Sequence, residues 1–538
     1  MRWRQWAAWT TVLLCLSGGP ILLAVAAPPS GWRFAGGLAS PDDVRVYLAA
    51  MYQGARGAWL YRPPFDPTPA GAMLMYTLYL ALGRAPGLDL TLWYHLARLA
   101  AGVLVLIVAA HWAARLFPTW AGRWSAWLLV AFSSGMGWLL ALIPVPAWQA
   151  RLIDLKTPET STFLSVFTAP HFALGVALEA LALLLFWQAT RKPRWWMWAF
   201  LSGGSLLGLG LVYPFTLPVV YATMGGYVLW TFWQVGRRQG WRALWVGLIG
   251  GGITVPFVIY YIYTFFFTPF WQNTHVAQNV IPTPGPGWLL AGYGLPLGLA
   301  VWGAAQRDRR PRGGKTLLII WAVANGLLLF LPVTFQWRMA NGWHFCLALL
   351  AADGLEHGAI PWLRRRGGLA FLRRWSMTPE ATARRIIVLL TVPSTLMVSL
   401  IGVRIALTER GFPYYVSQDE LRAMDTLSPA LSFGDVVLGA YQTGNVLPAH
   451  ALCRVVVGQQ FATLKPVEKL ADVTRFFDQG TPDAERIEIL ERYGVTVVYY
   501  GPWERALGTF DPGHVPYLEE MVRLDQTTVY RVLGAKQP

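Results

Sequence analysis

Acidic residues are scarce in this chain: 28 Asp and Glu stand against 44 Lys and Arg, a formal net charge of +16. Ahead of residue 408 only 11 carboxylates occur, and six of them, Asp42, Asp43, Asp66, Asp89, Asp154 and Glu159, fall in segments expected outside the membrane on its non-cytoplasmic side. Chemistry that needs a carboxylate there has few to choose from. Cysteine is scarcer still, at 3 residues. Cys15 and Cys346 sit in apolar runs and Cys453 stands alone in the C-terminal tail, so no disulfide can close within that tail. Zinc-ligand spacings, a Walker A loop, a Ser-His-Asp signature and a Rossmann fingerprint are missing too. Those absences weigh against a nucleotide-driven pump more than against chemistry whose donor already carries its driving force. Internal repeats and low-complexity tracts are also absent.

What the chain has in quantity is apolar surface: 538 residues, 55% hydrophobic and 14% aromatic, with mean hydropathy +0.40. A helix needs about 20 apolar residues to cross the hydrocarbon of a bilayer. Segments near 7–27, 94–116, 124–143, 168–188, 195–212, 215–233, 243–267, 286–305, 315–333, 339–360 and 385–407 qualify, which gives about eleven spans. Basic clusters at Arg2/Arg4, Arg115/Arg123, Arg191 to Arg194, Arg237 to Arg242, Arg307 to Lys315 and Arg364 to Arg385 occupy alternate loops. By the positive-inside rule the N-terminus is cytoplasmic, and an odd number of spans puts the C-terminus outside the cytoplasmic membrane. After residue 407 there are 12 basic and 17 acidic residues, so the tail carries 12 − 17 = −5 and the remainder 16 + 5 = +21. The basic excess therefore reports orientation and contact with anionic lipid. It does not form the single stripe that nucleic acid requires. The first span mimics a signal peptide, ending in Ala24-Val25-Ala26-Ala27, but its apolar run is long and an uncleaved anchor is expected.

The expected fold class is an all-α polytopic membrane bundle, 1–407, followed by a small extracytoplasmic α/β domain, 408–538. The first outer segment, 28–93, is rich in Pro, Tyr and Trp. Within it 40–60 reads as a helix, with Ser40 as cap, Pro41 in the first turn and Val44, Leu48, Met51, Tyr52 and Ala55 on one face. A second amphipathic stretch, 71–83, suits the membrane surface. In the tail, apolar runs Val436–Ala440, Arg454–Val457, Thr496–Tyr500 and Thr528–Leu533 read as strands, with helices expected at 418–427, 466–478, 483–493 and 514–523.

Asp42 and Asp43 are the leading candidates for chemistry. Ser40-Pro41-Asp42-Asp43 reads as a capping box with acid facing the helix dipole, which by itself accounts for both residues. The functional reading makes one carboxylate a general base, or a ligand for a metal ion. A long first outer loop with an acidic pair, an inside N-terminus and an outer C-terminal domain resembles the GT-C glycosyltransferase superfamily. The matching segment is Ser-Pro-Asp-Asp-Val-Arg-Val-Tyr-Leu, 40–48, followed by Gly54 and Gly57-Ala-Trp-Leu-Tyr61. The resemblance implies a polyprenyl-phosphate or polyprenyl-diphosphate sugar donor and a catalytic role for Asp42 or Asp43. The tail segment 491–505 resembles the end of the bacterial and archaeal YYY membrane proteins; read on its own it is a strand and a Gly-Pro turn with Glu504 and Arg505 on the surface.

Arg338, with Asn341 at i+3, begins a span on the outer side and presents the forked donors that suit phosphate. Flanked by Trp337 and Trp343, it equally fits an interfacial anchor. Arg151 and Lys156 are weaker candidates of the same kind. His95 and Arg98 share a helix face. His171 opens the fourth span, where it would orient a phosphate, and Glu179 would pair with Arg98. The leading expectation is an inverting hexosyl or pentosyl transferase. Its donor phosphate would sit near Arg338 and His171, its acceptor is unspecified, and the tail would help select that acceptor. No metal ligand set is legible, and any divalent cation stays an open cofactor. The alternatives are a transporter or flippase of a lipid-linked substrate, suited by broken spans at Tyr213-Pro214 and Pro332, and a non-catalytic envelope-assembly protein.

Overall fold

The computed structural model describes residues 3–278, 280–306, 313–374 and 376–534. Of the basic clusters, Arg2 and 307–312 lie outside the described residues. The chain is mostly helical and divides into two compact units. The first comprises Met1–Pro20, His95–Ile262 and Val280–Val403; the second comprises Ile21–Tyr94, Tyr263–Asn279 and Arg404–Pro538.

Helices fall at each of the eleven expected apolar positions. Among the described residues six are long and apolar enough to cross a membrane: Trp3–Ala26, Leu90–Leu116, Trp120–Ala141, Pro170–Ala189, Trp195–Val212 and Pro286–Ala305. Two bent pairs, Arg237–Gly252 with Val255–Phe267 at 50° and Pro379–Leu390 with Pro393–Thr408 at 44°, raise the count to eight if each is one span. The chain is thus a multi-pass membrane protein. Several expected spans are interrupted. Pro286–Ala305 is kinked at Gly294, with φ 42° and Pro296 two residues on. Trp343–Asp353 runs into a π-helical stretch, Gly354–Ala359.

Among the described residues of the second unit seven strands are present. β1 (Trp32–Phe34) pairs antiparallel with β2 (Tyr415–Ser417). The other five are β3 (Val436–Leu438), β4 (Arg454–Val455), β5 (Val497–Tyr500), β6 (Leu518–Leu524) and β7 (Thr527–Val532), which form one sheet in the order β4-β3-β5-β7-β6. β3 runs parallel to β4 and β5, and β5, β7 and β6 are antiparallel neighbours. The all-apolar β3 and the fully buried β5 are what a sheet covered on both faces requires. On one face Val436, Leu438, Val498 and Tyr500 pack with Val473, Phe476 and Ile489 of the helices Pro466–Phe477 and Asp483–Tyr493. On the other, Val437, Val497 and Tyr499 pack with Leu421 and Met424 of Gln418–Leu427 and with Val46, Ala49 and Phe65. The tail therefore closes one face of its sheet with the first outer segment, and burial of each such large side chain contributes about 1.5–3 kcal/mol.

Three local expectations change. Residues 514–523, expected as a helix, supply β6 instead. Asp525, at φ 46°, turns the chain directly back along β7, and pairing with β7 outweighs the helical spacing of the apolar side chains. Ser40 does not close a capping box: it precedes the helix Pro41–Ala55 at φ 46°, and its side chain makes no capping bond. Glu504 is fully buried, not on the surface; it accepts from the amides of Ala440 (2.7 Å) and Gly501 (2.9 Å) and from the Thr443 hydroxyl (2.5 Å).

Candidate active site

The acidic helix Pro41–Ala55 is held where it lies by backbone contact. It crosses Thr77–Gly83 so closely that a Cβ at Gly54 or Gly83 would overlap the carbonyl of Leu80 or Met51 respectively. Only glycine permits that approach. The crossing fixes the helix axis and so the direction in which its first turn presents Asp42 and Asp43.

With no cap to occupy them, both carboxylates turn to side chains. Asp42, its side chain 39% exposed, accepts from Arg45 Nη1 through Oδ1 (2.8 Å), from Asn445 Nδ2 through the same oxygen (2.9 Å) and from the Tyr441 hydroxyl through Oδ2 (3.2 Å). Asp43 accepts from Gln459 Nε2 (3.1 Å). Arg45 is buried, donates its other Nη to the Pro413 carbonyl and stacks over the Phe412 ring at 4.3 Å. Burial pushes its guanidinium down to about 10 while the Asp42 charge pulls it back up, so it stays protonated at neutral pH. Burial and the Asp42 charge together push the Tyr441 phenol upward, keeping it a hydrogen-bond donor.

The surrounding chain is equally constrained. Asp66 is fully buried; one of its oxygens accepts from Lys469 Nζ (2.5 Å) and the Leu464 amide (2.6 Å), and the other from the Thr68 amide (2.9 Å). The Val455 amide donates to the Pro64 carbonyl (2.9 Å). Tail residues thus grip the first outer segment at both Asp42/Asp43 and Asp66.

The other predicted site residues lie in or beside the first unit's helices. His171, the second residue of Pro170–Ala189, packs its ring against Phe172 (4.1 Å) and Tyr213 (5.9 Å) and lies within electrostatic reach of Arg338. Arg338, in the 3-10 turn Gln336–Ala340, sits 5.2 Å over the Phe215 ring. The Tyr213 hydroxyl donates to buried Glu159 (3.2 Å) and lies 3.1 Å from the Arg338 carbonyl. Asn341 donates to the Phe172 carbonyl (3.2 Å). The structure therefore brings His171, Arg338 and Asn341 together, and adds Tyr213 and Glu159.

Arg98 has a different surrounding. It is 1% exposed, and it donates to Ser17 Oγ (2.6 Å), the Val166 carbonyl (2.7 Å), the Phe167 carbonyl (3.2 Å) and His95 Nδ1 (3.3 Å). Glu179, its expected partner, accepts instead from Trp321 Nε1 (2.9 Å). Lys156 ends the short helix Ile153–Lys156 with its side chain exposed. Among the described residues no three His, Cys, Asp or Glu side chains gather as a metal site. The charge that a cation would neutralise at Asp42 is met by Arg45.

Tyr441, Asn445 and Gln459 escaped the sequence reading because they lie 399, 403 and 416 residues from their carboxylates. Arg45 was within reach of it: it stands at i+3 from Asp42, the spacing of a helical ion pair.

No protein-family model matches the chain, the YYY-like segment included, and no curated protein matches it. Solved structures do. The apo oligosaccharyltransferase of Archaeoglobus fulgidus superimposes with TM-score 0.55 at 12% identity, covering 98% of this chain and 75% of that one. The same enzyme, AglB, in complex with an inhibitory peptide and a dolichol-phosphate, gives TM-score 0.55 at 12% identity over 91% and 69% of the two chains. ArnT from Cupriavidus metallidurans, bound to undecaprenyl phosphate, gives 0.50 at 14% identity over 99% of both chains. The chain shares the fold of these two solved membrane enzymes.

Proposed function

We propose that the protein is a membrane glycosyltransferase that moves a sugar from a polyprenyl-phosphate donor to an acceptor at the outer face of the cytoplasmic membrane. The observation that carries this reading is the setting of Asp42. It is half exposed, it does not cap its own helix, and two tail side chains and Arg45 hold both its oxygens. A solvated first-turn acid needs none of that; a group that must meet a substrate at fixed geometry does. The likeness to enzymes solved with dolichol-phosphate and undecaprenyl phosphate supports a lipid-linked donor.

In the proposed reaction Asp42, with Asp43 beside it, takes the proton of an acceptor hydroxyl as that oxygen attacks the anomeric carbon. The bond from that carbon to the phosphate oxygen breaks, polyprenyl phosphate leaves with the electron pair, and the anomeric centre inverts. Arg338 and His171 are assigned to the donor's phosphate, for which Arg is suited by its forked donors. Arg98 and His95 are assigned to the bundle and not to substrate. In this reading all eleven apolar segments cross the bilayer, the N-terminus is cytoplasmic, and residues beyond 407 lie outside.

Turnover of synthetic polyprenyl-phosphate sugars by the full chain in nanodiscs tests the assignment. Asp42→Asn is expected to lower kcat by about 10²–10⁴ while the unfolding midpoint moves little. Full activity in both Asp42→Asn and Asp43→Asn would remove the base from this loop. The interrupted helix at Gly294 and the two bent pairs favour a second reading, transport of a lipid-linked substrate. Lipid flipping by the same nanodisc protein, with no transfer to any acceptor, would favour it.

A further inference from the structure

A cavity of about 240 Å³ opens in the second unit, and Arg45, which holds Asp42, is among the residues that line it. Five ionisable side chains line it: Arg33, Arg45, Asp89, Asp425 and His450. Arg33 pairs with Asp89 (2.7 Å), His450 pairs with Asp425 (2.8 Å), and Arg33 also acts electrostatically on Asp425. Acidic and basic side chains thus alternate through these contacts in the order Asp89, Arg33, Asp425, His450. Arg45 contributes the buried polar element, and Leu48, Leu421 and Val446 the apolar one.

The pattern selects a class of ligand. Each guanidinium at the cavity already has a carboxylate beside it, Asp89 for Arg33 and Asp42 for Arg45, so little unmatched charge is left to attract a phosphate or a metal ion. Carboxylates and guanidinium groups side by side do offer paired acceptors and paired donors, which match vicinal hydroxyls. The Arg33–Asp89 pair is about half exposed (54% and 47%), so exchanging part of its contacts for hydroxyls costs little desolvation. The apolar residues suit the C–H face of a pyranose. The volume falls below the roughly 300 Å³ at which drug-sized sites begin, enough for one ring and not for a chain of them.

We propose that this cavity binds one neutral sugar ring and that the ring belongs to the acceptor. The second half of that statement rests on the transferase reading: Arg45 lines the cavity and also donates to Asp42 Oδ1 at 2.8 Å, so a bound ring lies one side chain from the base.

The experiment is saturation-transfer NMR on the full chain in nanodiscs, using the methyl α- and β-glycosides of glucose, galactose and mannose, with wild type, Arg33→Ala and Asp425→Asn. At least one glycoside is expected to bind wild type with Kd of about 1–10 mM. Loss of the paired donors or acceptors should weaken binding by about tenfold in each variant, with the unfolding midpoint little changed. No signal from any glycoside, or equal signals in wild type and both variants, overturns the sugar site. Displacement of the glycoside by inorganic phosphate overturns it as well, because it would make the site anionic. The binding arm needs no donor. Glycoside binding without any transfer would therefore keep the sugar site and remove its assignment to the acceptor.

Discussion

Arg45 and Arg98 make an instructive pair. Each is almost fully buried, at 2% and 1% exposure, and each is held by several partners. Arg98 spends its donors on Ser17, on the carbonyls of Val166 and Phe167, and on His95, so it ties together helices of the first unit. Arg45 gives one Nη to a carbonyl and the other to a carboxylate that faces solvent on its remaining side. A buried cation satisfied by backbone is a strut. A buried cation that anchors a half-exposed acid fixes that acid's geometry, as the reaction proposed for Asp42 requires.

The largest effect expected from this contrast is on folding. Arg98→Met should destabilise the protein by about 3–5 kcal/mol, because several hydrogen bonds to one buried charge are lost together. Detergent-solubilised unfolding curves would show it. A stable Arg98→Met protein without turnover would break the contrast by moving Arg98 into the substrate site. Next is Asn445→Leu, which removes a donor to Asp42 Oδ1 from the tail. A kcat loss of about tenfold is expected with stability changed by under about 1 kcal/mol. A pure KM effect would move Asn445 from holding Asp42 to binding substrate.

The third prediction concerns pH. Burial, and then the charge of Glu504, push Glu420 up from 4.5 to about 8. The folded protein therefore holds a proton between those values that the unfolded chain has released. This contribution to stability is complete below about 4.5 and declines as pH rises through 8, with a slope of at most about 1.4 kcal/mol per unit. Unfolding midpoints of Glu420→Gln should lose that slope and exceed wild type above pH 8; an unchanged profile would place the proton elsewhere. The smallest effect is Lys156→Ala. An exposed side chain of this kind is expected to change stability by under about 0.5 kcal/mol and to leave donor KM unchanged. A tenfold rise in donor KM would return Lys156 to the site.

Much of the architecture was legible because it depends on local periodicity. The eleven apolar segments all became helices, and four tail strands lie where short apolar runs sit between turn residues. Asp42 and Asp43 stood out because so few carboxylates compete with them. What escaped depends on contacts remote in sequence. The run 518–524 has helix-compatible spacing, and only β7 makes it a strand. Ser40 has the composition of a cap, yet its left-handed backbone turns it away from that role. The tail residues that grip Asp42, Asp43 and Asp66 carry no mark that names their partners.

The grip on Asp66 also sets an order of events. Lys469 is synthesised 403 residues after the acid it neutralises. At about 5–20 residues per second, that is roughly 20–80 s of translation. Through nearly all of that interval the nascent chain carries Asp66 without its lysine and the acidic pair without Asn445 or Gln459. The membrane helices can insert in sequence as they emerge, whereas the arrangement around Asp42 must wait for the tail, so a nascent chain would acquire its spans well before any chemistry.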